Sequence, residues 1–178
     1  MKDKHLEELS DLAYTLCWGF LINPERFQVN VTRDLEGYIT VEAVCDPTDY
    51  GKLIGKKGQN YKAVEMILYR AGEQLQETVE FVVPAPDTRK IPEHLPFRRN
   101  KNWTHDAITK TVKDITLYLF SNPVQVEIWN GKLESKINVE LDENEDVDEI
   151  GEIESALQKI VHAHAKTQGW DVSIKLTQ

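Results

Sequence analysis

The sequence predicts an α+β fold made of two tandem units, each a small three-stranded sheet packed against helices. Three observations predict it. Apolar residues recur at three- and four-residue spacing in some segments and alternate in others, so helices and half-buried strands share the chain. The pattern of the first half returns in the second at an offset of 97 to 99 residues, the signature of an internal repeat. Between the copies, Pro84, Pro86, Pro92 and Pro96 interrupt any periodicity and mark an extended linker. The expected division is therefore 1–84, a linker over 85–103, and 104–178.

The first unit opens with Leu6, Leu9, Leu12, Ala13, Leu16, Cys17, Phe20 and Leu21, the apolar stripe of a helix over about 5–22. Asn23-Pro24 ends it, because proline disfavours helical backbone at the residue before it. Phe27, Val29 and Val31 alternate with polar residues as a strand does, and Asp34-Leu35-Glu36-Gly37 turns the chain into a second strand carrying Ile39, Val41 and Ala43. Asp46-Pro47-Thr48-Asp49 reads as a loop and helix N-cap. Ala63, Val64, Ile67, Leu68 and Ala71 form another amphipathic helix, which Gly72 is expected to stop. Val79, Phe81 and Val83 supply a third strand.

The second unit follows the same plan. Ile108, Val112, Ile115, Leu119 and Phe120 make a helix ended by Asn122-Pro123. Gln125-Val126-Glu127-Ile128 answers Gln28-Val29-Asn30-Val31, and Asn130-Gly131 is a hairpin turn. Ile137-Asn138-Val139-Glu140 answers Ile39-Thr40-Val41-Glu42. Ala156, Leu157, Ile160, Val161 and Ala165 form the later helix, and Val172, Ile174 and Leu176 the last strand.

Of 178 residues, 40% are hydrophobic and 29% charged, a composition that builds a core rather than a disordered tail. Mean hydropathy is -0.47, and no apolar run approaches the ~18 residues of a membrane span. The N-terminal residues show no secretory signal, and the expected location is the cytoplasm. Cys17 and Cys45 lack CxxC spacing and read as core thiols of a reducing compartment. The net charge of -9 is unevenly spread. Residues 134–154 hold ten acids and one base, so the other 157 residues keep 20 of the 21 bases and 20 of the 30 acids. Residues 52–101 carry ten bases against six acids. A phosphate feels charge only within about 10 Å at moderate salt, so this basic stretch matters more than the total.

One stretch carries chemistry: Asp49-Tyr50-Gly51-Lys52-Leu53-Ile54-Gly55-Lys56-Lys57-Gly58-Gln59-Asn60. Gly55 and Gly58 bracket two lysines between helical patterns. A turn that tight requires glycine. The amides at the start of the next helix form an anion site strengthened by the helix dipole, and the lysines add point charges. A phosphodiester backbone fits. A Walker A loop fails, since Gly51 to Gly55 is one residue short and Lys57 stands at the hydroxyl position. A dinucleotide fingerprint fails because Leu53 stands where glycine is needed. A plain structural turn with solvated lysines is the alternative.

On these residues, 5–83 resemble a K-homology (KH) domain of the type II, αββααβ arrangement, similar to the small bacterial proteins of the KhpA family. Gly51-Lys52-Leu53-Ile54-Gly55-Lys56-Lys57-Gly58-Gln59 matches that family's pattern at every fixed position. The resemblance implies single-stranded RNA binding by a GxxG loop that clamps about four nucleotides of backbone. By that analogy Gly55 and Gly58 admit the phosphates, Lys56 and Lys57 neutralise them, Lys52, Gln59 and Lys62 border the path, and Ile54 lines an apolar groove. The second copy reads Asp148-Glu149-Ile150-Gly151-Glu152-Ile153-Glu154-Ser155-Ala156 there. It lacks the second glycine and both lysines, and its carboxylates repel phosphate. It resembles a degenerate KH fold. In architecture and size the chain is also similar to tandem KH-like proteins of large bacteriophages, which bind phage messenger RNA.

Weaker signals complete the expectations. Arg89, Arg98, Arg99 and Lys101, with Phe97 and Trp103, mix bases and aromatics in the linker, a composition suited to RNA. His162 and His164, two apart on a helix, read as surface residues with no third ligand for a metal. No nucleophile, base and orienting acid can be grouped, so no enzyme activity, cofactor or metal is expected. The expected partner is single-stranded RNA in a messenger-level, post-transcriptional role, with single-stranded DNA and a homodimer as open variants. The alternative function is a protein-interaction module whose acidic segment 140–154 holds a basic partner, and no membrane partner is expected.

Overall fold

The computed structural model describes residues 3–86, 105–120, 125–130, 134–141, 147–166, 169 and 171–177. Helix α1 (Lys4–Trp18) is capped by Asp3, whose side chain accepts from the His5 amide. It buries Leu9, Leu12, Ala13, Leu16 and Cys17 along one face, and each fully buried leucine contributes about 1.5–3 kcal/mol. The helix stops at Gly19, short of the expected 5–22. The reason lies downstream: the buried Asp49 carboxylate accepts from the backbone N–H of Ile22 at 2.9 Å and of Asn23 at 2.8 Å, which pulls the chain out of helical geometry.

Strand β1 (Gln28–Arg33) pairs antiparallel with β2 (Ile39–Val44), Val31 opposite Val41. Helices α2 (Pro47–Ile54) and α3 (Gln59–Gln74) then cross over to β3 (Val79–Val82), which lies parallel to β2 with Val41 opposite Phe81. Gly72 does not stop α3, which runs on to Gln74. A Cβ at Gly72 would lie 2.5 Å from Val79 Cγ2, and Gly72 O accepts from the Glu77 N–H at 2.8 Å. This glycine is needed for close packing of the returning chain.

The second sheet repeats the pairing. After α4 (His105–Leu119), β4 (Gln125–Asn130) lies antiparallel to β5 (Glu134–Glu140), and β6 (Asp171–Thr177) lies parallel to β5. One helix, α5 (Val147–Lys166), makes that crossover. The acid-rich stretch 147–154 forms its first two turns. Ile150, Ile153, Ala156 and Leu157 bury at helical spacing, and acidic residues favour the positive end of a helix. Helix α3 packs against α4 and α5, and α1 against α5, so the buried residues of both sheets form one continuous apolar cluster. Contrary to the surface expectation, His164 is only 2% exposed, its Nε2 2.7 Å from the Thr15 carbonyl, whereas His162 is exposed.

Cys17 and Cys45 are buried and unbridged, as core thiols should be. Burial, with a smaller effect of Asp49 and Asp46, pushes the Cys45 thiol up to about 11, and burial lifts Cys17 well above the ordinary thiol range. Both stay protonated near neutrality and are poor nucleophiles. Among the described residues no helix is long and apolar enough to cross a membrane, and no three His, Cys, Asp or Glu side chains are grouped to hold a metal ion.

Candidate nucleic-acid interface

The helix–turn–helix formed by α2 and α3 is held by two aspartates. Asp46 caps α2, accepting from the Thr48 hydroxyl at 2.7 Å, the Thr48 amide at 2.9 Å and Arg26 Nη1 at 2.8 Å. Those bonds hold its carboxyl below the usual carboxylate range, Thr48 contributing most. Asp49, one turn on, grips the segment after α1 as described. The sequence marked this stretch as loop and cap; nothing in its spacing disclosed that Asp49 would be fully buried. With Leu53 also fully buried, α2 is fixed to the core at both ends.

Gly55 ends α2 with φ 74° and ψ 172°, and its N–H donates to Gly51 O at 2.9 Å. The Asn60 side chain fills the space beside it: Asn60 Nδ2 donates to Lys52 O at 2.7 Å, and a Cβ on Gly55 would lie 2.6 Å from Asn60 Cγ. Residues Lys56–Gly58 make a single 3₁₀ turn in which Lys57 (φ 55°) and Gly58 (φ 75°) are left-handed. The turn closes through the Gly58 N–H on Gly55 O at 3.1 Å. Two successive left-handed residues reverse the chain within one turn, so both lysine side chains leave it into solvent.

Lys52, Lys56, Lys57, Gln59 and Lys62 are all exposed, and Ile54, Gly55 and Gly58 are half-buried. The turn thus brings the eight expected residues together on one helix–turn–helix, from the last turn of α2 to the first turn of α3. Among the described residues none of the four lysines is paired with a carboxylate. Gly58, the N-cap of α3, has no side chain to cap it, and the first turn of α3 has no acid. The positive end of the α3 dipole and four lysine charges therefore act in the same region. Such an arrangement attracts anions of extended shape. The expected linker residues Arg89, Arg98, Arg99 and Lys101 lie outside the described residues.

Two contributors were not legible in the sequence as site residues. Asn60 fastens the turn to α2. Tyr61 OH donates to Phe81 O at 2.7 Å and its ring stacks on Phe81 with centroids 5.4 Å apart, which ties the start of α3 to β3. Burial and the bond to Glu65 push the Tyr61 hydroxyl up to about 12. Their position directly after the GxxG turn was the available signal. In the second sheet's crossover, by contrast, α5 runs unbroken through Gly151 with no turn between two helices.

No family model matches the chain. A stretch of 83 residues, 47% of this chain, is 29% identical to the RNA-binding protein KhpA of Bacillus subtilis (strain 168) and covers 98% of that protein. The crystal structure of APE1850 aligns with 98% of this chain and 100% of its own at 13% identity and a TM-score of 0.28, a likeness too slight to bear on the fold.

Proposed function

We propose that this chain is a non-catalytic protein that binds single-stranded RNA, with the RNA backbone held by Gly55-Lys56-Lys57-Gly58 and bordered by Lys52, Ile54, Gln59 and Lys62. In this reading residues 1–84 are a KH domain, 85–103 a basic linker whose Arg89, Arg98, Arg99 and Lys101 extend the contact, and 104–178 a degenerate KH-like unit. Its role is post-transcriptional, on messenger RNA in the cytoplasm. The observation that carries the proposal is the pair of unpaired, exposed lysines between two glycines of positive φ at an uncapped helix start. The likeness to KhpA supports it: the matched 83 residues nearly equal the proposed first unit in length and span almost all of that RNA-binding protein.

Charge reversal tests it. Lys56→Asp with Lys57→Asp replaces two attractive charges by two repulsive ones on exposed side chains that make no packing contact to lose. Affinity for a fluorescent single-stranded RNA should fall at least tenfold at ~0.1 M salt, with the slope of log affinity against log salt reduced by about two. Thermal unfolding should be unchanged. Equal affinity of wild type and double variant would refute the assignment, and the same titration with DNA of matching sequence reads the preference between the two strands.

A further inference from the structure

The proposed RNA path does not end at the Gly55–Gly58 turn. Lys62, in the first turn of α3, also lines a groove with a cavity volume of about 540 Å³. The groove follows α3 past Met66 and Tyr69 as far as Glu73, about 16 Å of helix. Its other residues come from β3, Glu80 among them, and from the second unit, whose helix α5 contributes Glu152 and Ile153. Ile153 is only 3% exposed and anchors this turn of α5 in the shared core. Glu152, the next residue, is thereby held on a groove that begins at a lysine of the first unit.

Along this groove the charge changes sign. Beyond Lys62, Arg70 is paired with Glu73 at 3.0 Å, and the Glu65 carboxylate accepts from Tyr61 OH at 3.0 Å. Glu80 and Glu152 are exposed, and among the described residues neither has a hydrogen bond or an ion pair. Both carboxylates repel phosphate. The sugar-phosphate chain is therefore kept on the lysine side, and what it can offer the carboxylates is the N–H of a base. Met66 and Tyr69, the latter 54% exposed, supply the apolar and aromatic surface on which a base can rest.

We infer that the second unit completes the nucleic-acid site, and that Glu80 and Glu152 make it select bases carrying amino groups, guanine first, over uracil. The inference rests on the RNA reading of the Gly55–Gly58 turn. An ionised carboxylate only accepts hydrogen bonds. Guanine offers it N1–H and the N2 amino group side by side, a match of two parallel bonds. Cytosine and adenine offer one amino group each. Uracil offers a single N3–H set between two carbonyl oxygens, which the carboxylates repel. The second unit, without the GxxG turn or its lysines, so acquires a role in the same site: it supplies one of the two free acceptors.

The test titrates the full chain with three fluorescent RNA octamers at ~0.1 M salt. One is octauridylate, one carries two central guanosines, and one has inosine at those two places, which lacks the N2 amino group. The guanosine strand should bind at least tenfold more tightly than octauridylate, with the inosine strand between them. Glu152→Ala alone should lower the guanosine-to-uridine ratio at least threefold. Glu80→Ala with Glu152→Ala should bring it below threefold, with octauridylate bound no more weakly than by wild type. Both side chains are exposed, so thermal unfolding should stay the same. Equal binding of the three strands by wild type, or a ratio that survives the loss of Glu152, would overturn the inference and leave the RNA reading standing. Failure of wild type to bind any strand would overturn both.

Discussion

Gly55 and Gly58 bracket the same turn for different physical reasons. At Gly55 the combination φ 74° and ψ 172° is almost closed to side-chain-bearing residues, and the space beside it is filled by Asn60. At Gly58 the left-handed conformation is the whole demand, because nothing lies within 4 Å of a would-be Cβ. Gly51, inside α2, also has nothing within 4 Å and no unusual backbone. Alanine should therefore rank the three: Gly55→Ala loses about 3 kcal/mol, Gly58→Ala about 1 kcal/mol, and Gly51→Ala gains up to about 1 kcal/mol. Urea unfolding of the three variants measures the order, and a Gly58 variant less stable than the Gly55 variant would contradict it. The spacing of glycines and lysines was legible because it follows from local chain geometry. Asn60 was not, since its role depends on Lys52 O lying eight residues back across the turn. The surface reading of His164 failed likewise, for helical spacing reveals which residues share a face but not which neighbour covers it.

At the scale of elements, four residues close the first sheet at its end. Arg33, at the end of β1, donates to Glu77 at 2.7 and 2.9 Å and to Asp3 at 2.9 Å, and His5 Nδ1 lies 2.7 Å from Glu77. These bonds, Arg33's first and His5's second, hold the Glu77 carboxyl down at about 2. The folded chain thus binds this proton less readily than the unfolded chain, whose carboxyl titrates near 4.5. The stabilisation is complete above about pH 4.5 and is lost as pH falls toward 2. Arg33 and Glu77 are partly open to water, at 28% and 16% side-chain exposure, so the discounted effect is about 1 kcal/mol. Between pH 6 and pH 3, wild type should lose about 1 kcal/mol more unfolding free energy than Glu77→Gln; parallel losses would remove Glu77 from the account. No alternation or stripe announces such a closure, because its members sit up to 74 positions apart in the chain (Asp3 to Glu77). The strands and the hairpin of β1 with β2 were legible for the opposite reason: the period of two is local, and Val79 and Phe81 bury as the alternation expects. Helix ends were read less well. α1 stops early for Asp49, and α3 passes Gly72, both decided by residues distant in sequence.

At the scale of the whole molecule, the two sheets present the same strand order, yet their helices share one core. The contact between α1 and α5 shows how close that joining is. Gly19 is in right-handed backbone (φ -66°), so its conformation does not call for glycine. Its surroundings do, because a Cβ there would collide with the His164 ring and lie 2.8 Å from the His164 backbone nitrogen. The same ring bonds the Thr15 carbonyl. If the sheets unfold as one body, damage at this seam lowers the stability of both together. Gly19→Ala should cost 1–3 kcal/mol through forced separation of α1 and α5, and His164→Ala about 2 kcal/mol through lost packing and an unsatisfied carbonyl. Because the second change removes the ring that the first would strike, the double variant should be at least 1 kcal/mol more stable than the summed single losses predict. Urea melts followed by tryptophan fluorescence, which reads Trp18 in the first half and Trp129 and Trp170 in the second together with Trp103 between them, should show a single transition throughout. Strict additivity, or two transitions of which only one moves, would mean that the halves fold apart and that this seam does not couple them.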